Sequence, residues 1–333
     1  MSTILVTGAS GFVGSHTVPA LIVAGHRVVA LARSPAAGEA VLSRLPMADR
    51  SSVELRDGDV THPVMLASAM AGVDAVIHLV AIPRDLNSGA DLARINTEGT
   101  RAILAAMSTA GVRRLVHLGA LGVIDDPSLH YASSKARAEA AVRDSGLDWT
   151  VLKPSLQFGP GDGFFNIIAS LVRLSPGVVP VPGDGKSRFQ PIFVGDVAAI
   201  VARSIADPGT IGESFELGGP RYWTYREITR EVLDALGKRR AIVPIPLPLI
   251  RIVARTAELA RLPFPVATDQ LRQLRLDNVG PLDLIPARFG FQPRAMEGAL
   301  GYLRLKRRDQ FAAGAAGTAG SAGAADAAGT VGP

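Results

Sequence analysis

The sequence predicts an α/β protein: a doubly wound parallel Rossmann sheet of about seven strands with a smaller C-terminal substrate lobe. Three observations predict it. Thr7 to Gly14 reads T-G-A-S-G-F-V-G, set between an apolar run at 4–6 and a helix-like stretch at 12–24. Short apolar runs then alternate with Ala-rich stretches of helical spacing. Pro/Gly-rich segments at 159–163 and 176–185, and everything after Pro220, break that alternation.

The elements follow in order. Strands are expected over 4–6, 28–31, 53–55, 75–79, 115–118, 149–152 and 214–217, with helices over 90–110 and 133–144 among those between them. In the first turn Gly8 permits the tight bend, Gly11 lets the backbone approach a pyrophosphate, and Gly14 lets the helix pack close to the sheet. Ser10, Phe12 and Val13 complete the turn, and the helix N-terminus offers free N–H groups to phosphates. The second strand ends in Ala32-Arg33-Ser34. NAD-specific sites place an acid about 20 residues after the turn; here that place is Ala32. Arg33 either grips a 2′-phosphate, favouring NADP(H) over NAD(H), or is a solvated loop arginine. The third strand runs into Asp57-Gly58-Asp59-Val60, where Asp59 could cap a helix from Pro63. Tyr131 and Lys135 are spaced i, i+4 and share one helix face.

With Thr7 and the G-x-x-G-x-x-G spacing, the turn resembles that of the short-chain dehydrogenase/reductase superfamily, and Tyr131/Lys135 resembles its Y-x-x-x-K pair. The stretches Leu152-Lys153-Pro154-Ser155, Phe158 to Asn166, Arg188 to Ile192 and Val194 to Val197 resemble the extended or atypical branch, the NAD-dependent epimerase/dehydratase family. Ala267 to Gln270 and Asp277-Asn278-Val279 narrow the likeness to the group of the Rossmann-fold accessory subunit of respiratory complex I and its bacterial relatives. The resemblance spans roughly residues 1–305. It implies that Tyr131 is the acid/base and that Lys135 lowers its pKa and holds the nicotinamide ribose. It places Asp59 and Val60 at the adenine, Val80 and Ala81 along the ribose and nicotinamide, and Pro154 beside the cofactor. Asn96 takes a structural or water-positioning role, and Asn166 and Arg188 are candidate substrate contacts. Arg188 matches a substrate-phosphate arginine or is a surface arginine at an edge. Lys153 stands where Arg is commoner. One member is missing: Gly119 and Ala120 occupy the place of the family's substrate-binding Ser or Thr. His117 reads as a core histidine.

Domains are expected at 1–158 with 190–218 returning to the sheet, 159–189 and 219–311 for the lobe, and a disordered Ala/Gly-rich tail at 312–333. With 333 residues, 47% apolar and 20% charged, the chain reads as a packed protein without a membrane span or signal peptide. The absence of cysteine removes disulfides, a thiol nucleophile and thiolate metal sites, and no metal is expected. The net charge of +5 owes much to Arg304, Lys306, Arg307 and Arg308, so no nucleic-acid groove is read. A cytoplasmic location is expected, with peripheral association at the inner face of a membrane as the alternative. That alternative rests on 247–261, where Arg251, Arg255 and Glu258 oppose Leu249, Ile250, Ile252, Val253, Ala257 and Ala260. These residues form either a packed lobe helix or an interfacial one. Three functions fit: an NADP(H)-dependent oxidoreductase or epimerase acting on a small molecule, a non-catalytic NADP(H)-binding accessory or assembly factor linked to respiratory or quinone machinery, and a redox-sensing regulator.

Overall fold

A computed structural model describes residues 1–84, 87–250, 277–307 and 309–310. The expected tail, most of 247–261 and the 267–270 motif lie outside those residues. All seven expected strands form one parallel sheet: β1 (Thr3–Thr7), β2 (Arg27–Ala32), β3 (Val53–Asp57), β4 (Ala75–His78), β5 (Arg114–Leu118), β6 (Asp148–Pro154) and β7 (Glu213–Leu217). The spatial order is β7-β6-β5-β4-β1-β2-β3, so the order reverses beside β1, where a doubly wound sheet opens its ligand crevice. Strands that are apolar on both faces demand cover on both, and two helical layers supply it. Ile4, Val6, Ile77 and Val116 pack with Val197, Ile200 and Val201 of the helix Val194–Ala206. Leu5, Val76 and Leu115 pack with Ile103 and Met107 of the helix Gly99–Ala110.

One expected helix differs. The 90–110 stretch is a short helical turn Ala90–Leu92, a π-helix Ala93–Glu98, then Gly99–Ala110. Two contacts account for the widened turn. The Thr100 hydroxyl donates to the Asn96 carbonyl at 2.7 Å, competing with the backbone ladder. A Cβ on Gly99 would lie 2.8 Å from Val60 Cγ2, so the backbone is pressed against the strand-end residues.

The lobe has its own core, in which Phe158, Phe165, Ile168, Trp223, Ile228, Val232 and Leu300 are buried together. A parallel pair, Val178–Pro182 with Ala241–Ile245, and the helices Phe164–Leu174 and Tyr225–Ala235 frame it. A reciprocal Thr224/Glu227 capping box starts the latter helix. The helix Leu284–Phe289, though late in the chain, packs on the sheet side, with Phe289 edge-on to Phe215 of β7 at 5.4 Å. A buried polar network closes the lobe's base. The Tyr302 hydroxyl donates to Asp162 Oδ2 at 2.5 Å, and Gln310 exchanges hydrogen bonds with Asn166 at 2.9 and 3.1 Å. Burial pushes the Asp162 carboxyl up to about 6 against these bonds.

Candidate active site

The crevice at the strand C-termini opens into one cavity of about 1250 Å³, bounded by the sheet below and the lobe above. Its floor on the β1 side is the glycine turn. Gly8 has φ +75°, which a side chain would strain, and Gly11 N–H donates to Gly8 O at 2.9 Å. A Cβ on Gly14 would stand 2.3 Å from Gly8 O and 2.6 Å from Ala9 Cα, so only glycine lets the helix Gly14–Val23 start this close. No side chain caps that helix; its Ser15 and His16 N–H groups donate back to Gly11 O and Val13 O at 3.0 and 3.1 Å, which leaves the turn residues ahead of them to meet a ligand. Gly8, Ser10, Gly11, Phe12, Val13 and Gly14 all line the cavity. Arg44, which the sequence reading passed over, donates from Nη1 to Ser10 O at 2.7 Å and pins the turn from outside.

Arg33 is exposed, lines the cavity, and makes no ion pair among the described residues. Asp59 does not cap the helix Pro63–Ala69; its Oδ1 accepts from the Thr61 N–H and hydroxyl, both at 2.8 Å. Burial opposes its charge, but those hydrogen bonds, with the His62 and Arg33 charges, hold its pKa below the usual value. Val60, Val80, Ala81 and Pro154 line the same wall. A turn with positive-φ glycine at the start of a helix and an apolar strand-end wall together fit a dinucleotide.

Tyr131 and Lys135 lie on the helix His130–Arg143 and both face the cavity. Burial pushes the Tyr131 phenol up to about 12. Burial also brings Lys135 down to about 8, with Glu139 opposing. Lys135 Nζ donates to the Leu118 carbonyl at 2.5 Å, so the β5 end holds the ammonium in place. The expected lowering of the phenol by Lys135 is not present: desolvation sets its value. Asn96 holds the tyrosine's first turn. Its amide donates to Ser134 Oγ at 3.0 Å and exchanges bonds with the Ile82 backbone at 2.8 and 3.1 Å, while Ser134 Oγ donates to the Tyr131 carbonyl at 2.8 Å. That is a structural tie between the β4 exit and the tyrosine's helix.

The hydroxyl gap is real but uneven. A Cβ on Gly119 would sit 3.1 Å from Lys153 Cγ and 3.2 Å from Val151 Cγ1, pointing into β6; Lys153 itself pairs with Glu216 at 3.1 Å. Ala120, half-buried, lines the cavity. Beneath the pair lie two buried histidines, stacked with ring centroids 5.4 Å apart. His78 bonds the Thr7 and Thr100 hydroxyls at 2.7 and 3.0 Å. Thr100 gives its proton to Asn96, so His78 donates from Nε2 and accepts at Nδ1. Burial, then the Lys135 charge, lowers His78 to about 3 and His117 well below its ordinary value. Among the described residues, neither His117 ring nitrogen has a hydrogen-bond partner.

Two candidates are placed elsewhere. Asn166 is buried in the Asp162/Gln310 network, away from the cavity lining. Arg188 reaches Asp277 Oδ2 through Nε and Nη2 at 2.9 and 2.6 Å, outside that lining. Asn278, known from the sequence only as part of a motif, stitches the lobe to the sheet: it receives from Ser155 Oγ at 2.5 Å and donates to Leu121 O at 2.6 Å.

A family model described as "NAD dependent epimerase/dehydratase family" matches residues 4–218. The chain is 26% identical over 280 residues to an Arabidopsis thaliana protein, NADH dehydrogenase [ubiquinone] 1 alpha subcomplex subunit 9, mitochondrial; the match covers 83% of this chain and 68% of that one. It is 31% identical over 263 residues to a dTDP-glucose 4,6-dehydratase of Streptomyces antibioticus, covering 70% and 77%. Among solved structures, the NADPH-dependent quinone oxidoreductase QOR2 of Escherichia coli, complexed with NADPH, superposes with a TM-score of 0.71 at 20% identity, covering 90% and 99%, a likeness of fold. Among the described residues no helix is long and apolar enough to cross a membrane.

Proposed function

The chain belongs to the NAD-dependent epimerase/dehydratase family, and from that premise we propose that it is an NADP(H)-dependent oxidoreductase acting on a small carbonyl or alcohol. The observation that carries this reading is convergence: the glycine turn, Arg33, Tyr131 and Lys135 line one cavity. The dinucleotide, when bound, gives or takes a hydride. The protein does the rest. The turn's N–H groups and Arg33 hold the phosphates, with Arg33 reading the 2′-phosphate in the absence of an acid at Ala32. Asp59 and Val60 border the adenine. Tyr131, protonated at neutral pH because burial holds its pKa near 12, donates its phenolic proton to the forming alkoxide or takes it back in reverse. Lys135, fixed by the Leu118 carbonyl, places a positive charge where phenolate develops. Without a hydroxyl at Gly119 or Ala120, the substrate oxygen relies on Tyr131 and on backbone N–H groups or an ordered water. Slow or narrowly specific turnover follows.

A non-catalytic accessory role is the second reading. The likeness to the complex I subunit favours it, as does the missing hydroxyl. A carbonyl panel with NADPH separates the two. Turnover lost in Tyr131→Phe, with NADPH affinity kept, supports the enzyme. No turnover, bound cofactor retained through purification and biological activity intact in Tyr131→Phe overturn it.

A further inference from the structure

Phe164, Ile167, Ile168 and Leu171 fall at i, i+3, i+4 and i+7 of the helix Phe164–Leu174, and all four line the cavity. Pro180 and Ile245, from the parallel lobe pair, also line it. Among the described residues, this stretch of the lobe wall is apolar. Among the described residues of this wall, the Arg307 guanidinium gives Nε and Nη2 to Gly161 O at 3.3 and 3.1 Å, and Arg188, outside the lining, is held by Asp277. A nucleoside diphosphate placed here would lose hydration, and the Arg307 guanidinium it could meet among the described residues is already bonded to a carbonyl, a costly exchange. An aliphatic chain gains instead, each methylene moved out of water tightening binding about fourfold. One polar mark remains. Gln157 lines the cavity, while its Oε1 is buried with no hydrogen-bond donor among the described residues.

We propose that the lobe half of the cavity takes the aliphatic chain of a lipid-like carbonyl or alcohol substrate, head towards Tyr131, in place of a nucleotide-linked sugar. This rests on the reading of Tyr131 as the reacting end, but its test does not need turnover. Calorimetric titration of the full chain, saturated with NADPH, with 2-butanone, 2-octanone and 2-dodecanone should show affinity rising with chain length, by about two-hundredfold from butanone to octanone. Uridine diphosphate should neither bind nor compete. Ile167→Glu and Leu171→Glu should flatten the dependence while NADPH affinity stays; Leu171→Met should keep it. A flat series in the wild type, or uridine diphosphate displacing octanone, overturns the proposal whether or not the glutamate variants fold. A flat series with Tyr131-dependent turnover of a short carbonyl sinks the lobe assignment alone. A steep series without turnover upholds the lobe assignment and sinks the catalytic one.

Discussion

The two walls of the cavity are built by opposite means. The nucleotide wall is a run of contiguous backbone, Gly8 to Gly14, whose donors are main-chain N–H groups and whose shape depends on what glycine lacks. The lobe wall is made of side chains from separate segments, with Ile167, Leu171, Pro180 and Ile245 meeting only after the lobe folds. The first wall should fail by geometry, abruptly, at single atoms. The second should fail by polarity, gradually, and tolerate exchange among apolar residues of similar size.

Several substitutions test that contrast. The largest effect is expected at the junction of the walls: Tyr131→Phe should cut turnover on the order of 10²–10⁴-fold in steady-state assays with NADPH affinity near wild type. A fall in affinity of matching size would make the tyrosine part of the binding wall instead. Gly14→Ala should lower stability by about 1–3 kcal/mol or more and weaken NADPH, because its Cβ would meet Gly8 O at 2.3 Å. Unchanged melting and titration curves would mean that the turn yields like the lobe wall. Arg33→Ala should weaken NADPH by roughly 1.5–3 kcal/mol and leave NADH little changed; equal losses would show that Arg33 does not read the phosphate.

The buried histidines beneath the nucleotide wall carry a pH dependence. His117 is neutral in the folded chain, whereas the unfolded chain protonates it near the ordinary 6.5. The unfolded state thus binds more protons below that pH, and stability falls as pH drops through it. His117→Leu removes this penalty, so against its own effect at pH 8 it should gain about 2 kcal/mol at pH 5 in urea unfolding. An identical difference at both pH values would show that His117 is solvated or charged when folded. The smallest effect is at Ala120. Ala120→Ser adds a hydroxyl on the cavity side, worth about 1 kcal/mol if it reaches the substrate oxygen, or several-fold in carbonyl reduction. Gly119→Ser should give none, since its side chain would press on Lys153 and Val151; a gain there would mean that β6 gives way.

The seven strands were legible because each carries its own apolar run, and the turn because three glycines in eight residues have few other uses. The i, i+4 spacing put Tyr131 and Lys135 on one helix face, as the helix His130–Arg143 does, while the roles assigned to them came from the resemblance alone. Properties set by distant atoms were not legible. The π-helix at Ala93–Glu98 depends on Thr100 and on Gly99 pressing against Val60, and no local pattern announces it. Arg188 looks the same in sequence whether it waits for a phosphate or is held by Asp277, 89 positions away. The phenol's pKa depended on burial that spacing cannot show. The lobe wall left one trace, the i, i+3, i+4, i+7 set from Phe164 to Leu171, but amphipathic spacing does not say whether a face meets core or cavity.

Gln310 is fully buried, its Oε1 receiving the Gly161 N–H at 3.0 Å, and Pro160 beside that loop meets His16 of the first helix at 3.3 Å. For anyone trimming or tagging this polypeptide, that sets a boundary. A stop codon placed after Gln310 keeps the plug in its socket. One placed a few codons earlier, though still beyond the helical turn at Ala299–Arg304, strips the side-chain acceptor of that Gly161 amide and frees the loop that leans on the glycine turn. Shortened versions should therefore differ sharply in NADPH retention across a handful of residues that carry no chemistry of their own.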